Sequence, residues 1–143
     1  MIPGLESAEF LRYGVMHRNT YINSPKLLNP DYSLISNGNI YFAGQMTGVE
    51  GYIESTSSGW LAGFNAARKM KGLSPFTPDN RCAIGALANY VSDRTVTAFQ
   101  PMNVNFGIIA SPDKKIKGGK AVRNEYLSQR ALSYLKEIYE NLE

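Results

Sequence analysis

The sequence predicts an α/β fold built on one strand–glycine-rich turn–helix unit, with a helical C-terminal tail. Two observations carry this. The stretch "YFAGQMTGVEGYIESTSSGWLAGFNAARKM" (41–70) passes from a short apolar run, through three glycines, into a long segment rich in small residues. Near the end of the chain, Leu127, Ala131, Leu135, Ile138 and Leu142 recur at helical spacing, as the buried stripe of an amphipathic helix does.

The elements follow in chain order. Residues 8–22, "AEFLRYGVMHRNTYI", are aromatic and β-branched without helical caps and predict one or two strands. Residues 23–38 hold two prolines with several Asn and Ser, which predicts a loop with a turn at Asn37-Gly38. "NIYFAG" (39–44) reads as a brief buried strand. The helix over 52–71 ends on Lys69, Lys71 and Gly72, where cations suit the negative end of the helix dipole. After the connector 73–80, Thr77 is expected to cap a helix from Pro78 to about Asp93. Residues 94–112 predict extended loop with at most one short strand, and 113–120 a basic exposed segment. A last helix covers 120–142. Two regions are expected, 1–72 and 73–143, the second mostly helical.

At 143 residues with 43% hydrophobic content, the chain is long enough to bury a real core. Its apolar runs fall far short of the roughly 20 residues that span a bilayer. The start "MIPGLESAEF" lacks the basic and apolar regions of a secretory signal. A single cysteine cannot form an internal disulfide. Together these place the chain in the cytoplasm by expectation. The net charge of +3 is compatible with nucleic acid but is more often that of an ordinary solvated surface. No metal site is expected.

The glycine turn is the most informative stretch. Gly44, Gly48 and Gly51 lie where a strand hands over to a helix. Without side chains they let the backbone approach a ligand, close to the unpaired amides and positive dipole end of the helix. Ser55, Gly59, Gly63 and Ala67 recur every four residues and make one helix face nearly flat, suited to a sheet or a planar ligand. Spacing alone leaves two readings open: a ligand turn, or tight helix–strand packing. The pattern G-x-x-x-G-x-x-G is neither the dinucleotide fingerprint nor a Walker A loop, and "KGGKA" (117–121) lacks the rest of a phosphate loop.

Three segments settle the comparison: "RYGVMHRNTYINSPKLL", "YFAGQMTGVEGYIESTSSGWLAGFNAAR" and "FQPMNVNFGI". They resemble the C-terminal third of the bacterial FAD- and folate-dependent tRNA uracil-5-methyltransferases, most strongly over 10–28, 41–68 and 99–107. The related flavoproteins that modify wobble uridines share a similar turn and come second. The resemblance implies the C-terminal part of a Rossmann-like FAD-binding fold, an incomplete domain covering 1–72, with 73–143 as a helical extension. The initiating "MIPGL" resembles internal family sequence, which suggests a start in mid-domain.

The resemblance also implies a flavin site made of two separated parts, of which the G-x-G-x-x-G part does not occur in this sequence. By that analogy Gly44 and Gln45 sit near the ribityl chain or phosphate. Met46 and Thr47 follow in the same turn, and Gly48, Val49, Glu50, Gly51 and Tyr52 line the ring. His17 and Arg18 fall where the family shapes its folate pocket, although a lone histidine is usually structural. Lys114, Lys115, Lys117, Lys120 and Arg123 form a basic patch that could hold tRNA phosphates or simply face solvent. Cys82 sits at an apolar helix start, where a buried thiol is the common outcome. The family's catalytic cysteines belong to the part not present, so no catalytic residue is expected here.

The implied parent reaction takes a one-carbon unit from methylenetetrahydrofolate, reduces it through FAD with NAD(P)H as the ultimate reductant, and makes 5-methyluridine in the tRNA T loop. The chain alone is expected to be inactive. A rival expectation is a non-catalytic module, associating as a homo-oligomer through an exposed apolar surface.

Overall fold

Prolines and short polar residues break positions 19–41 into small pieces. The computed structural model describes residues 2–9, 11, 14 and 19–142. A one-turn helix, α1 (Ser24–Leu27), carries Pro25 in its first turn, where the fixed φ of proline is suited. Strands β1 (Ser33–Leu34) and β2 (Asn37–Tyr41) then pair antiparallel, with Ser33 opposite Tyr41 and Leu34 opposite Asn37. The chain therefore reverses at Ile35-Ser36, and Asn37-Gly38 opens the second strand where the sequence predicted a turn. The reversal is supported at its base by Asp31, whose carboxylate accepts from both the amide and the hydroxyl of Ser33.

The predicted strands of 8–22 do not occur on its described residues, 8, 9, 11, 14 and 19–22. Nor is "NIYFAG" a buried strand. β2 is half-buried to exposed along its length, because the only sheet among the described residues has two strands and leaves Ile40 open to solvent.

A short 3-10 turn, Gly44–Thr47, leads into α2 (Tyr52–Met70), close to the predicted helix. Its buried side is Ser58, Leu61, Ala62 and Asn65. The small-residue face of Gly59, Gly63 and Ala67 points the other way and is exposed, so the close packing expected of it is not made among the described residues.

α3 (Ala83–Ser92) begins five residues later than the Pro78 start predicted from the sequence. Asp79 explains the delay: its carboxylate accepts the Arg81 amide (2.8 Å) and its carbonyl accepts the Cys82 amide (3.4 Å), a local turn that competes with helix. α4 (Gly119–Glu140) follows the predicted stripe, with Leu127 and Tyr134 buried and Ala131, Leu135 and Ile138 half-buried.

One apolar cluster joins these pieces. Leu28, Tyr32, Val49 and Leu61 pack with Phe76, Leu87, Ala88, Val91 and Phe99, so the core runs straight across the expected division at residue 72. Asn65 ties the connector to α2 with both ends of its amide, donating to Phe76 O (3.0 Å) and accepting from Phe76 N–H (2.6 Å).

Candidate functional site: the glycine-rich turn

Each wall of the turn between β2 and α2 is fixed by short hydrogen bonds. The Gly44 amide donates to Ser58 Oγ (2.7 Å), and Ser58 in turn donates to the Ser55 carbonyl (2.8 Å). Thr47 Oγ1 donates back to Gly44 O (2.7 Å), closing the 3-10 turn on itself. From outside, Ser24 Oγ donates to Thr47 O (2.8 Å) and the Ile22 amide to Met46 O (2.9 Å). Ser24, Thr47 and Ser58 are buried, where each unmade hydrogen bond would be costly.

The inner side is closed by a segment distant in sequence. Val49 and Met102 form a parallel bridge, with Met102 N–H donating to Gly48 O and Glu50 N–H to Met102 O, both at 3.0 Å. The Phe99 ring lies against Gly48, where an added Cβ would stand 2.5 Å from Cζ. Gly48 also sits at φ +83°, a conformation that a side chain would strain. Gly48 is thus required by packing on the core side.

The outer side is open. Gln45, Met46, Gly51 and Tyr52 are exposed, and Gly44 and Glu50 are half-buried, whereas Thr47, Gly48 and Val49 are buried. The nine residues singled out by the sequence are therefore brought together, but only some of their side chains reach solvent. Gly51, at φ +97°, is the N-cap of α2 and provides no side-chain cap. The first amides of α2 therefore have no capping side chain and suit an outside acceptor. The Glu54 carboxylate folds back beside Gly51, with the Asn103 amide nitrogen close by. A carboxylate at that spot repels phosphate, while hydroxyls or a heterocycle edge meet no such penalty. An apolar cleft of about 290 Å³ opens beside it, between Ile53, Glu54 and Ser57 of α2 and Ala83, Ile84 and Leu87 of α3. That lies at the lower limit for small-molecule pockets, roughly 300 Å³.

Elsewhere, Lys114, Lys115, Lys117 and Lys120 are exposed and Arg123 half-buried at the entrance of α4, and Lys114 Nζ lies 5.6 Å from the Tyr126 ring centre. Cys82 is fully buried with Sγ 3.5 Å from Asp79 O, and burial pushes its thiol above the ordinary value. It is a protonated thiol without access. His17 and Arg18 lie outside the described residues. Sequence reasoning missed Ser24, Ser58 and Phe99 as the braces of the turn; for Phe99 and Met102 the only signal was the family-like stretch 99–107.

The glycine turn, braced on one face and open on the other, lies within the segment that matches a known family. Residues 1–74 match the family described as glucose inhibited division protein A, and the chain belongs to that family.

Its named relatives are more particular. The methylenetetrahydrofolate–tRNA-(uracil-5-)-methyltransferase TrmFO of Natranaerobius thermophilus is 53% identical over 139 residues, covering 97% of this chain and 32% of the relative. Proteins of the same name from Bacillus cytotoxicus and Bacillus anthracis are 55% identical over 136 residues, 95% of this chain and 31% of each relative. The chain thus spans about a third of the length of the curated relatives it matches.

Proposed function

We propose that this chain is one part of a flavin- and folate-dependent tRNA (uracil-5-)-methyltransferase, and that its glycine turn forms one wall of the FAD site. The carrying observation is the identity to the Natranaerobius methyltransferase across nearly the whole chain. The turn supports the reading: its exposed residues Gln45, Met46 and Gly51 offer a surface for a ribityl chain or a ring edge, and the Gln45 side chain both donates and accepts hydrogen bonds. The carboxylate of Glu54 argues that the pyrophosphate is held elsewhere, by a lobe that belongs to the remaining two-thirds of the parent.

In the parent, FAD would supply the electrons that turn the transferred one-carbon unit of methylenetetrahydrofolate into a methyl group, with NAD(P)H restoring the flavin. In this reading the chain's own residues bind and orient: the Gln45 side chain, next to the side-chain-free Gly44, holds the ribityl side, and Glu50, Gly51 and Tyr52 border the ring. Gly48 and Val49 contribute only through their backbone. His17 and Arg18 in the folate pocket rest on sequence alone. The lysine patch would position tRNA by its phosphates. The Rossmann-like assignment of residues 1–72 belongs to the same proposal.

The test compares two proteins. The 143-residue chain, given FAD, methylenetetrahydrofolate, NADPH and unmodified tRNA, is expected to stay colourless and make no 5-methyluridine. One half of a split site offers few contacts against the entropy of ordering a ligand. A chimera carrying these 143 residues in place of the matched segment of the Natranaerobius relative is expected to purify yellow and make it. A folded chimera without flavin would overturn the proposal.

A further inference from the structure

The outer face of α2 carries an inference that deepens this reading. At 100° per residue, Tyr52, Gly59, Gly63 and Met70 fall within one narrow band of the helix, with Trp60 and Ile53 beyond one edge of it. Tyr52 is 95% exposed, Met70 90%, Ile53 78% and Trp60 49%. The charged residues of the helix, Glu54, Arg68 and Lys69, lie on other arcs. The result is an uncharged face about 28 Å long, with large apolar groups at its ends and a shallow floor in the middle.

The floor has no explanation among the described residues. Both glycines are in mid-helix without positive φ, and an added Cβ at either would meet nothing within 4 Å. Glycine in such a place disfavours the helix relative to alanine. A bare backbone is useful there only if something approaches it closely, as the ridge of a crossing helix fits between side-chain ridges. The relatives indicate what that is: they carry the same segment within a polypeptide about three times as long. The face begins at Tyr52, next to the open side of the glycine turn, so whatever covers it also stands beside the proposed cofactor wall.

We propose that the Gly59–Gly63 face of α2 is the seat of a helix from the remaining two-thirds of the parent polypeptide. The identity of that occupant rests on the reading above; the docking itself does not require flavin.

The test is a sign reversal. Gly63→Leu meets open space in the 143-residue chain, and there it is expected to leave Tm unchanged or raise it by a few degrees. In the chimera described above, the same substitution overpacks a filled interface and is expected to lower Tm. In co-production with the portion of the Natranaerobius relative outside the matched segment, it should weaken association by about 10- to 100-fold. Leu132→Ala, at an exposed apolar site on α4, is the control and should leave association unchanged. The same direction of change in both proteins overturns the proposal. So does equal loss with Leu132→Ala, or a homodimer of the chain alone that Gly63→Leu dissolves, which would assign the face to a second copy. A chimera showing the reversal but no bound flavin leaves the docking intact and removes the cofactor reading.

Discussion

Asn65 does at one position what a strand pairing does along several. Its amide answers both the N–H and the C=O of Phe76, in a buried setting where neither has water to fall back on. Around it, Phe64 stacks on Trp60 at 5.1 Å and meets Phe76 edge-on at 5.7 Å, so the connector is held by one polar pair inside an aromatic cluster. Asn65→Ala leaves two backbone groups unsatisfied and is expected to cost about 2–4 kcal/mol, read as a lower midpoint in denaturant with an unchanged slope. A loss under about 0.5 kcal/mol, the scale of an ordinary surface change, would show that water replaces the amide. Nothing in the sequence marked this residue, because an asparagine in mid-helix looks the same whether it faces solvent or braces a neighbour.

Among elements, α4 is attached through loops more than through other helices. Arg130 donates to Ala110 O (2.6 Å) and Ser111 O (2.8 Å), and Tyr134 Oη accepts the Asp79 amide (2.9 Å) while its ring carries the Arg81 guanidinium at 3.9 Å. Asp79 organises this junction. Burial alone would raise its carboxyl, but hydrogen bonds from Arg81, with the charges of Arg81 and Arg130, together hold it below the ordinary 3.8. A lowered native value stabilises the fold above the unfolded value and stops doing so as pH falls through the folded one. Thermal melts should therefore show Asp79→Asn less stable than the parent chain near neutrality. The gap should be constant down to about pH 5 and shrink below about pH 4. It should also be small, since the pair is half exposed. A gap independent of pH would mean that the asparagine keeps every contact that matters. The elements differ in how legible they were. α2 and α4 could be read because a period of 3.6 is recorded in many residues at once. The hairpin and the start of α3 could not, because a single aspartate or a two-residue reversal decides each of them, and "NIYFAG" looked buried only because its apolar residues say nothing about how many strands lie beside it.

At the scale of the whole molecule, the chain divides into a packed side and an unfinished one. Leu28, Tyr32, Val49 of the turn, the buried side of α2, α3 and Phe99 share a core, while the outer face of α2 and the exposed lysines of 114–120 look outward. The open wall of the turn was legible as a glycine pattern; its closed wall was not, since pairing between Val49 and Met102 leaves no trace in local sequence. The lysine patch makes its own prediction. In the chimera, replacing Lys114, Lys115 and Lys117 together by Gln should weaken tRNA binding for all sequences alike and reduce the salt dependence of log K by roughly one unit per lost phosphate contact. Binding with unaltered slope would return those lysines to the solvated surface.

The bridge between Val49 and Met102 has a kinetic corollary. α2, the connector and α3 lie between these residues in the chain, and the entropy of closing so long a loop must be met before the contact is rewarded. The braced turn is thus expected among the last parts of this chain to mature, so a nascent or partly unfolded copy would have helices before it had the closed wall of that turn.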